Sequence, residues 1–252
     1  MISKLIILAA GQGSRLRPLT ESCPKGLVPL HGKPLMEWQI ASARAAGITE
    51  IAIVCGFKAE KMPFEDVHYF FNPRYASTNM VETLKCARSF WQGGFIASYS
   101  DIVFEPEMLR QQMNSPHPIS VTIDRQWKPY WEQRFENVLE DAETLKMDGE
   151  GKILELGAKT EHISEIQGQY VGLTGFADSA IPKLEKFLHD SNCPLTPGSY
   201  MTDLLQELIS KNICVHSSGF DAGWLEIDSL SDLDLAKDRS TPGKNGLLSI
   251  KR

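Results

Sequence analysis

Apolar and polar positions divide the 252-residue chain into short apolar runs that alternate with stretches of helical period. The first run, residues 5–10, is Leu-Ile-Ile-Leu-Ala-Ala. Its length and lack of polar alternation predict a strand over about 3–10, buried on both faces. Pro34 is well placed in the first turn of a helix. Leu35, Trp38, Ala41, Ser42 and Ala45 then recur near helical spacing until Gly47. Further strands are expected over 50–56 and 67–72. Ser77, Thr78 and Asn79 are all capable N-caps for a helix expected over about 80–91. An apolar strand from Phe95 ends at Asp101, and 119–125 reads as another strand. Residues 126–136 hold Trp127, Tyr130, Trp131 and Phe135 without a clean period. The stretches 143–147 and 153–156 flank a Gly-containing turn and predict a β-hairpin. A strand over 168–176, a helix over 180–190, a helix capped by Thr202 and a strand over 213–217 follow. A strand ending near Asp228 leads into a last helix, capped by Ser229 or Ser231. Residues 240–252, polar with Gly and Pro, read as a mobile tail. Alternating strands and helices predict an α/β domain over 1–239, with a doubly wound, mostly parallel mixed sheet. A small hairpin or lid subdomain is inserted at about 124–172.

Composition narrows the function. Apolar residues make up 42% and charged residues 23%, ordinary for a soluble globular protein. The net charge of −6 argues against a nucleic-acid partner. It also makes Arg15, Arg17, Lys25 and Lys33 a local anomaly that favours a small anionic ligand. Five cysteines, odd in number and without a Cys-x-x-Cys pair, suggest reduced thiols and a cytoplasmic location, with no zinc site. No run approaches 18 apolar residues, so no membrane partner is expected.

The cations follow Gly11-Gln12-Gly13, where glycines allow a sharp turn and a close approach of backbone N–H groups to phosphate. Two familiar phosphate loops fail on spacing. Gly26 and Gly32-Lys33 are one residue too far apart for a P-loop, and Pro34 stands where Ser or Thr belongs. Gly11 and Gly13 begin a dinucleotide fingerprint, but Leu16 occupies its third glycine position. The longer string Leu8-Ala-Ala-Gly-Gln-Gly-Ser-Arg15-Leu-Arg-Pro-Leu-Thr20, followed by Pro24-Lys25, resembles the signature of the nucleotidyltransferases that activate sugar phosphates and small alcohol phosphates, the MobA-like family. The resemblance implies a Rossmann-like fold. It implies that Leu8, Ala9, Ala10, Gly11, Gly13 and Ser14 line the base and phosphates of a nucleoside triphosphate. Arg15 would hold the β- and γ-phosphates, and Lys25 would reach the α-phosphate, making these two the catalytic candidates. Asn79, a cap on composition, and Ser100 join the nucleotide side through the same resemblance.

Asp101 at a strand end is either a turn residue or a metal ligand. The family carries an aspartate metal ligand there. Glu226 and Asp228, two apart on a strand, face one side and repel unless a cation intervenes. The resemblance makes Asp228 the second metal ligand, with Glu226 supporting it and Mg²⁺ as the cofactor. Aromatic faces beside carboxylates would suit an ammonium group, with Asp124, Trp127 and Trp131 as acceptor candidates; packing among the aromatics is the plainer alternative. In the family's sugar-phosphate members a lysine after the hairpin binds the acceptor phosphate, which points to Lys159. The strand over 168–176, with its small residues, resembles the family's acceptor-side strand and points to Tyr170 and Gly172.

The implied reaction is nucleotidyl transfer without a general base, because a phosphate acceptor is already ionised at neutral pH. The compact layout resembles the cytidylyltransferases of phosphocholine and aminoalkyl phosphonates. CTP and a small phosphate or phosphonate, of phosphocholine or 2-aminoethylphosphonate type, are the expected partners, and a homodimer is allowed. The alternatives are a uridylyl- or thymidylyltransferase of sugar 1-phosphates, and a nucleotide-binding regulatory protein without turnover.

Overall fold

The structure, a computed structural model, describes residues 1–251. Seven strands form the central sheet. In spatial order they are His216–Phe220, Ile119–Asp124, Gln169–Ala177, Gly94–Tyr99, Lys4–Ala9, Glu50–Cys55 and His68–Phe71. Lys4–Ala9 pairs in parallel with both neighbours. Gln169–Ala177 alone runs antiparallel, joining the two parallel groups. The mostly parallel, mixed, doubly wound sheet expected from the sequence is therefore the architecture.

The first strand explains its own sequence. Leu5, Ile7 and Ala9 enter the core on one face of the sheet, and Ile6 and Leu8 enter the core on the other. A strand covered on both sides has no polar face, hence the unbroken apolar run. Helix Leu35–Ala46 covers one face and ends at Gly47 with φ of 102°. Pro34 stands just before it as the N-cap rather than in its first turn.

Several expectations change. The helix expected over 80–91 is shorter, Met80–Cys86, followed by a 3₁₀ turn at Arg88–Phe90. The aromatic stretch 126–136 is helical over Trp127–Arg134. Helix Met201–Ser210 begins before Thr202; the Asp203 carboxylate accepts from Tyr200 N at 2.7 Å, so Thr202 is not its cap. The strand expected over 213–217 lies at His216–Phe220. Ser229, not Ser231, caps the last helix, Leu230–Arg239. Residues 240–251 are not a loose tail. Ser240–Pro242 pairs antiparallel with Leu248–Ile250, and Leu248 and Ile250 are buried in the core. Ile250 N donates to Glu105 Oε1 at 3.1 Å, which anchors that hairpin. Arg252 lies outside the described residues. The predicted hairpin, Leu145–Met147 with Ile153–Leu156, is present. It packs on helix Met201–Ser210, where Gln206 Oε1 accepts from Leu156 N at 2.9 Å.

Candidate active site

Two cavities lie side by side beyond the carboxyl ends of Lys4–Ala9 and Gly94–Tyr99. That is where open α/β sheets bind ligands. The first, about 190 Å³, is lined by Leu8, Ala10, Gly11, Gly13, Lys25, Asn79 and Ser100, with Tyr75 and Thr78. These are most of the residues expected on the nucleotide side. Strand alternation turns Ala9 the other way, into the core. Ser14 is exposed and does not line the cavity. Asn79 is the N-cap of its helix, its side chain accepting from Met80 N at 3.0 Å, so it caps and lines at once.

The glycine turn is shaped around the lysine. Gly13 has φ of 72°, and a Cβ there would stand 2.7 Å from the Lys25 Cβ. A Cβ at Gly11 would meet nothing within 4 Å, which leaves backbone open to a ligand. Thr20 Oγ1 donates to Gly13 O at 2.7 Å and closes the loop over Lys25.

Asp101 lies in the turn between Gly94–Tyr99 and Ile102–Phe104. Buried Gln39 clamps that turn by donating to Tyr99 O at 2.9 Å and Ile102 O at 2.7 Å. Strand Trp224–Glu226 pairs antiparallel with Ile102–Phe104, and Ile227 N donates to Asp101 O at 2.8 Å. Two carboxylates 127 residues apart in sequence are thereby fixed against one ammonium. Lys25 Nζ donates to Asp101 Oδ2 at 2.6 Å and also to Asp228 Oδ1. Arg15 Nη2 reaches the same Asp228 oxygen at 3.0 Å, with most of its side chain still in solvent. Burial alone would lower the Lys25 pKa, but Asp101 and Asp228 outweigh it and the net direction is up. Glu226 is held by Arg134; burial pushes its carboxyl up, Arg134 pulls it down, and Asp228 and Asp101 add to the rise.

The second cavity, about 250 Å³, shares Asp101 and Met80 with the first. Arg15, Glu226 and Asp228 line its near side. Its far wall carries Trp131, Tyr170, Asp141 and Glu143, with Tyr99 and Tyr200. Trp131 and Tyr170, two of the acceptor candidates, thus line this cavity. Asp124 and Trp127 do not. The Asp124 carboxylate is committed to Trp224 Nε1, at 3.0 Å, and to Gln126 N, at 2.8 Å. Trp127 packs into the aromatic core against Trp131. Lys159 stands behind the wall, donating to the carbonyls of Glu140 at 3.2 Å and Asp141 at 2.9 Å. Gly172 shapes the wall indirectly: with φ of 82° it lets the strand bulge where a Cβ would lie 2.8 Å from the Tyr99 ring. The sequence reading missed Asp141, Glu143 and Arg134. Their one signal was a cluster of acids next to aromatics, without a motif to order it.

Residues 5–192 match the MobA-like NTP transferase domain. The chain belongs to the MobA-like NTP transferase family. The CTP:phosphoglutamine cytidylyltransferase of Campylobacter jejuni is 37% identical over 249 residues, covering 91% of this chain and 97% of that protein. The choline-phosphate cytidylyltransferase of Streptococcus pneumoniae is 34% identical over 122 residues, 47% of this chain and 53% of that protein. Two solved structures share the fold. The CTP:phosphocholine cytidylyltransferase from Streptococcus pneumoniae superposes with a TM-score of 0.72 at 20% identity, over 94% of this chain and 98% of that one. The inositol-1-phosphate CTP transferase from T. maritima gives 0.73 at 17% identity, over 92% and 91%. Among the described residues no helix is long and apolar enough to cross a membrane.

Proposed function

We propose that this MobA-like transferase is a cytidylyltransferase that moves CMP from CTP to a small phosphorylated or phosphonate acceptor bearing an ammonium group. The observation that carries this reading is the meeting of Lys25, Asp101 and Asp228 at the junction of two cavities, one lined by the glycine turn and one by aromatics and carboxylates. An acceptor oxygen bonds to the α-phosphorus, the α–β bridging bond breaks, and pyrophosphate leaves. No proton has to move, so the barriers are repulsion between anions and alignment of the attack. Lys25 is placed to stabilise charge growing on the α-phosphate, and Arg15 to neutralise the departing pyrophosphate. The choice of CTP is supported by the cytidylyltransferases among the relatives.

The donor set fits Mg²⁺. Asp101 Oδ1 is buried without a hydrogen-bond partner, while its other oxygen and Asp228 already converge on one cation, the Lys25 ammonium. Among the described residues no three His, Cys, Asp or Glu side chains cluster as a metal cage. Mg²⁺ does not require one: it commonly takes one or two carboxylates and completes its shell with water and substrate phosphates. Asp101 and Asp228 would hold it, with Glu226 beside them. Bound there, it would offset negative charge on the triphosphate.

The far wall supports the amine. Asp141 and Glu143 place negative charge beside Trp131 and Tyr170, a combination that attracts a cation through charge and through the aromatic faces. The test is pyrophosphate release with Mg²⁺ across four nucleoside triphosphates and a panel of acceptors. The panel contains phosphocholine, 2-aminoethylphosphonate, phosphoglutamine and sugar 1-phosphates. Release is expected with CTP and an amine-bearing acceptor. Release only with UTP or dTTP and a sugar phosphate would replace this reading with the sugar-activating one.

A further inference from the structure

Arg134 is the most buried cation of the site, its side chain 0% exposed, and no step of the transfer uses it. Arginine carries its charge at any working pH, so burying it costs several kcal/mol unless anions surround it. Three do. Nη1 donates to Glu226 Oε2, Nε and Nη2 donate to Asp232 Oδ1 and Oδ2 at 2.9 and 3.5 Å, and Nη2 lies 3.7 Å from Asp228 Oδ2, an ion pair without a hydrogen bond. The rings of Tyr130, Trp131 and Phe135 stand 5.5, 5.0 and 5.1 Å from its central carbon and fix the plane of the fork.

The two oxygens of Asp228 therefore face different cations. Oδ1 faces Lys25 and Arg15, where the triphosphate would sit, and Oδ2 faces Arg134. One helical turn before Arg134, the Tyr130 hydroxyl accepts from Glu226 N at 3.0 Å and stands 3.2 Å from Glu226 O. One face of helix Trp127–Arg134 thus grips Glu226 by both backbone and carboxylate. The same helix supplies Trp131 to the acceptor cavity, and Trp131 Nε1 donates to Asp141 Oδ2 at 3.2 Å.

We propose that Arg134 is a positioning residue for nucleotidyl transfer: its fork orients the Glu226 carboxylate directly and holds Asp228 through Asp232, whose Oδ2 accepts from Asp228 N at 3.1 Å. This rests on the transfer reading of the site. The role needs a planar fork with donors on several edges, which an ammonium lacks. Charge alone does not satisfy it.

The test compares Arg134→Lys and Arg134→Met with the wild type. Three quantities are read: kcat and KM for each substrate, the Mg²⁺ dependence of CTP binding by equilibrium dialysis without acceptor, and the thermal melt. Arg134→Lys is expected to melt cooperatively yet lose about 100-fold in kcat, the scale of a misplacement of about 1 Å at the reacting groups. Its half-saturating Mg²⁺ for CTP binding is expected to rise about tenfold or more, as when a support behind a metal ligand is removed. Wild-type kcat and Mg²⁺ dependence in Arg134→Lys would overturn the proposal. So would an Arg134→Met that lowers the melting temperature without changing either. Absence of pyrophosphate release by the wild type, with Mg²⁺-dependent CTP binding intact, would instead count against the transfer reading. The dialysis comparison still decides the role of Arg134 in that case.

Discussion

Lys25 separates a phosphate-transfer site from a charged loop most sharply, because its ammonium is already aimed at the point where two cavities meet. Replacing it with alanine removes a preorganised charge donor, and kcat is expected to fall by about 100- to 1,000-fold. Steady-state pyrophosphate release checks this; near-normal turnover would remove Lys25 from the chemistry. Glu143 belongs to the acceptor side. Burial pushes its carboxyl up, Lys159 pulls it down, and Asp141 and Asp203 add to the rise. Only the ionised form attracts an ammonium. Because the pKa is raised, that form is lost at a higher pH than for an ordinary glutamate as pH falls. The KM for an amine-bearing acceptor should therefore climb as pH drops. In Glu143→Gln it should be about tenfold higher at neutral pH, the scale of one charge-assisted hydrogen bond, and lack that climb, so that the two profiles converge as pH falls. The acceptor's own phosphate titrates in both proteins, so the difference between the two profiles isolates Glu143. Identical profiles would place the amine elsewhere. Lys25 stood out in the sequence because it sits in a string of fixed spacing, whereas Asp101 at a strand end was open between a turn and a ligand until the family resemblance singled it out. Asp124 and Trp127 were misread because composition puts aromatics beside acids without saying which face each side chain takes.

Elements that bury two faces or carry a strict period were the legible ones: the first strand, helix Leu35–Ala46 and the Leu145–Leu156 hairpin region. His216–Phe220 was misplaced for a physical reason. Its sequence, His-Ser-Ser-Gly-Phe, has poor strand propensity, and parallel pairing with Ile119–Asp124 overrides it. The closing hairpin was hidden because its three aliphatic residues, Leu247, Leu248 and Ile250, include an adjacent pair and are too few to show a period of two. Leu248 and Ile250 are only 5% exposed. Ile250→Ala should therefore cost about 2 kcal/mol or more of stability, as for a buried aliphatic side chain. Urea titration checks this, and an unchanged midpoint would show that the hairpin contributes nothing to the core.

On the scale of the molecule, two cavities adjoin beyond the carboxyl ends of central strands, and the boundary between them is built from opposite charges. Arg15, Lys25 and Arg134 meet Asp101, Glu226, Asp228 and Asp232 there. A protein with net charge −6 thus sets Arg15 and Lys25 against Asp101 and Asp228 at this junction, and Asp141 and Glu143 line the second cavity. The glycine turn and its cations could be read from the first 34 residues, while Tyr75, Thr78, Asn79 and Ser100 line the same cavity from later in the chain. The second cavity could not be read this way, since its residues come from a helix, a hairpin and a bulged strand that meet only in the fold. The central claim is transfer of CMP onto a phosphoryl oxygen. Phosphorus NMR of CTP, Mg²⁺ and an amine-bearing phosphate or phosphonate tests it most directly, with a chelator-containing sample beside it. The prediction is a new pair of mutually coupled signals from a P–O–P linkage between CMP and the acceptor, with equimolar pyrophosphate, and neither in the chelated sample. Conversion of CTP to CDP and inorganic phosphate, with the acceptor unchanged, would contradict it.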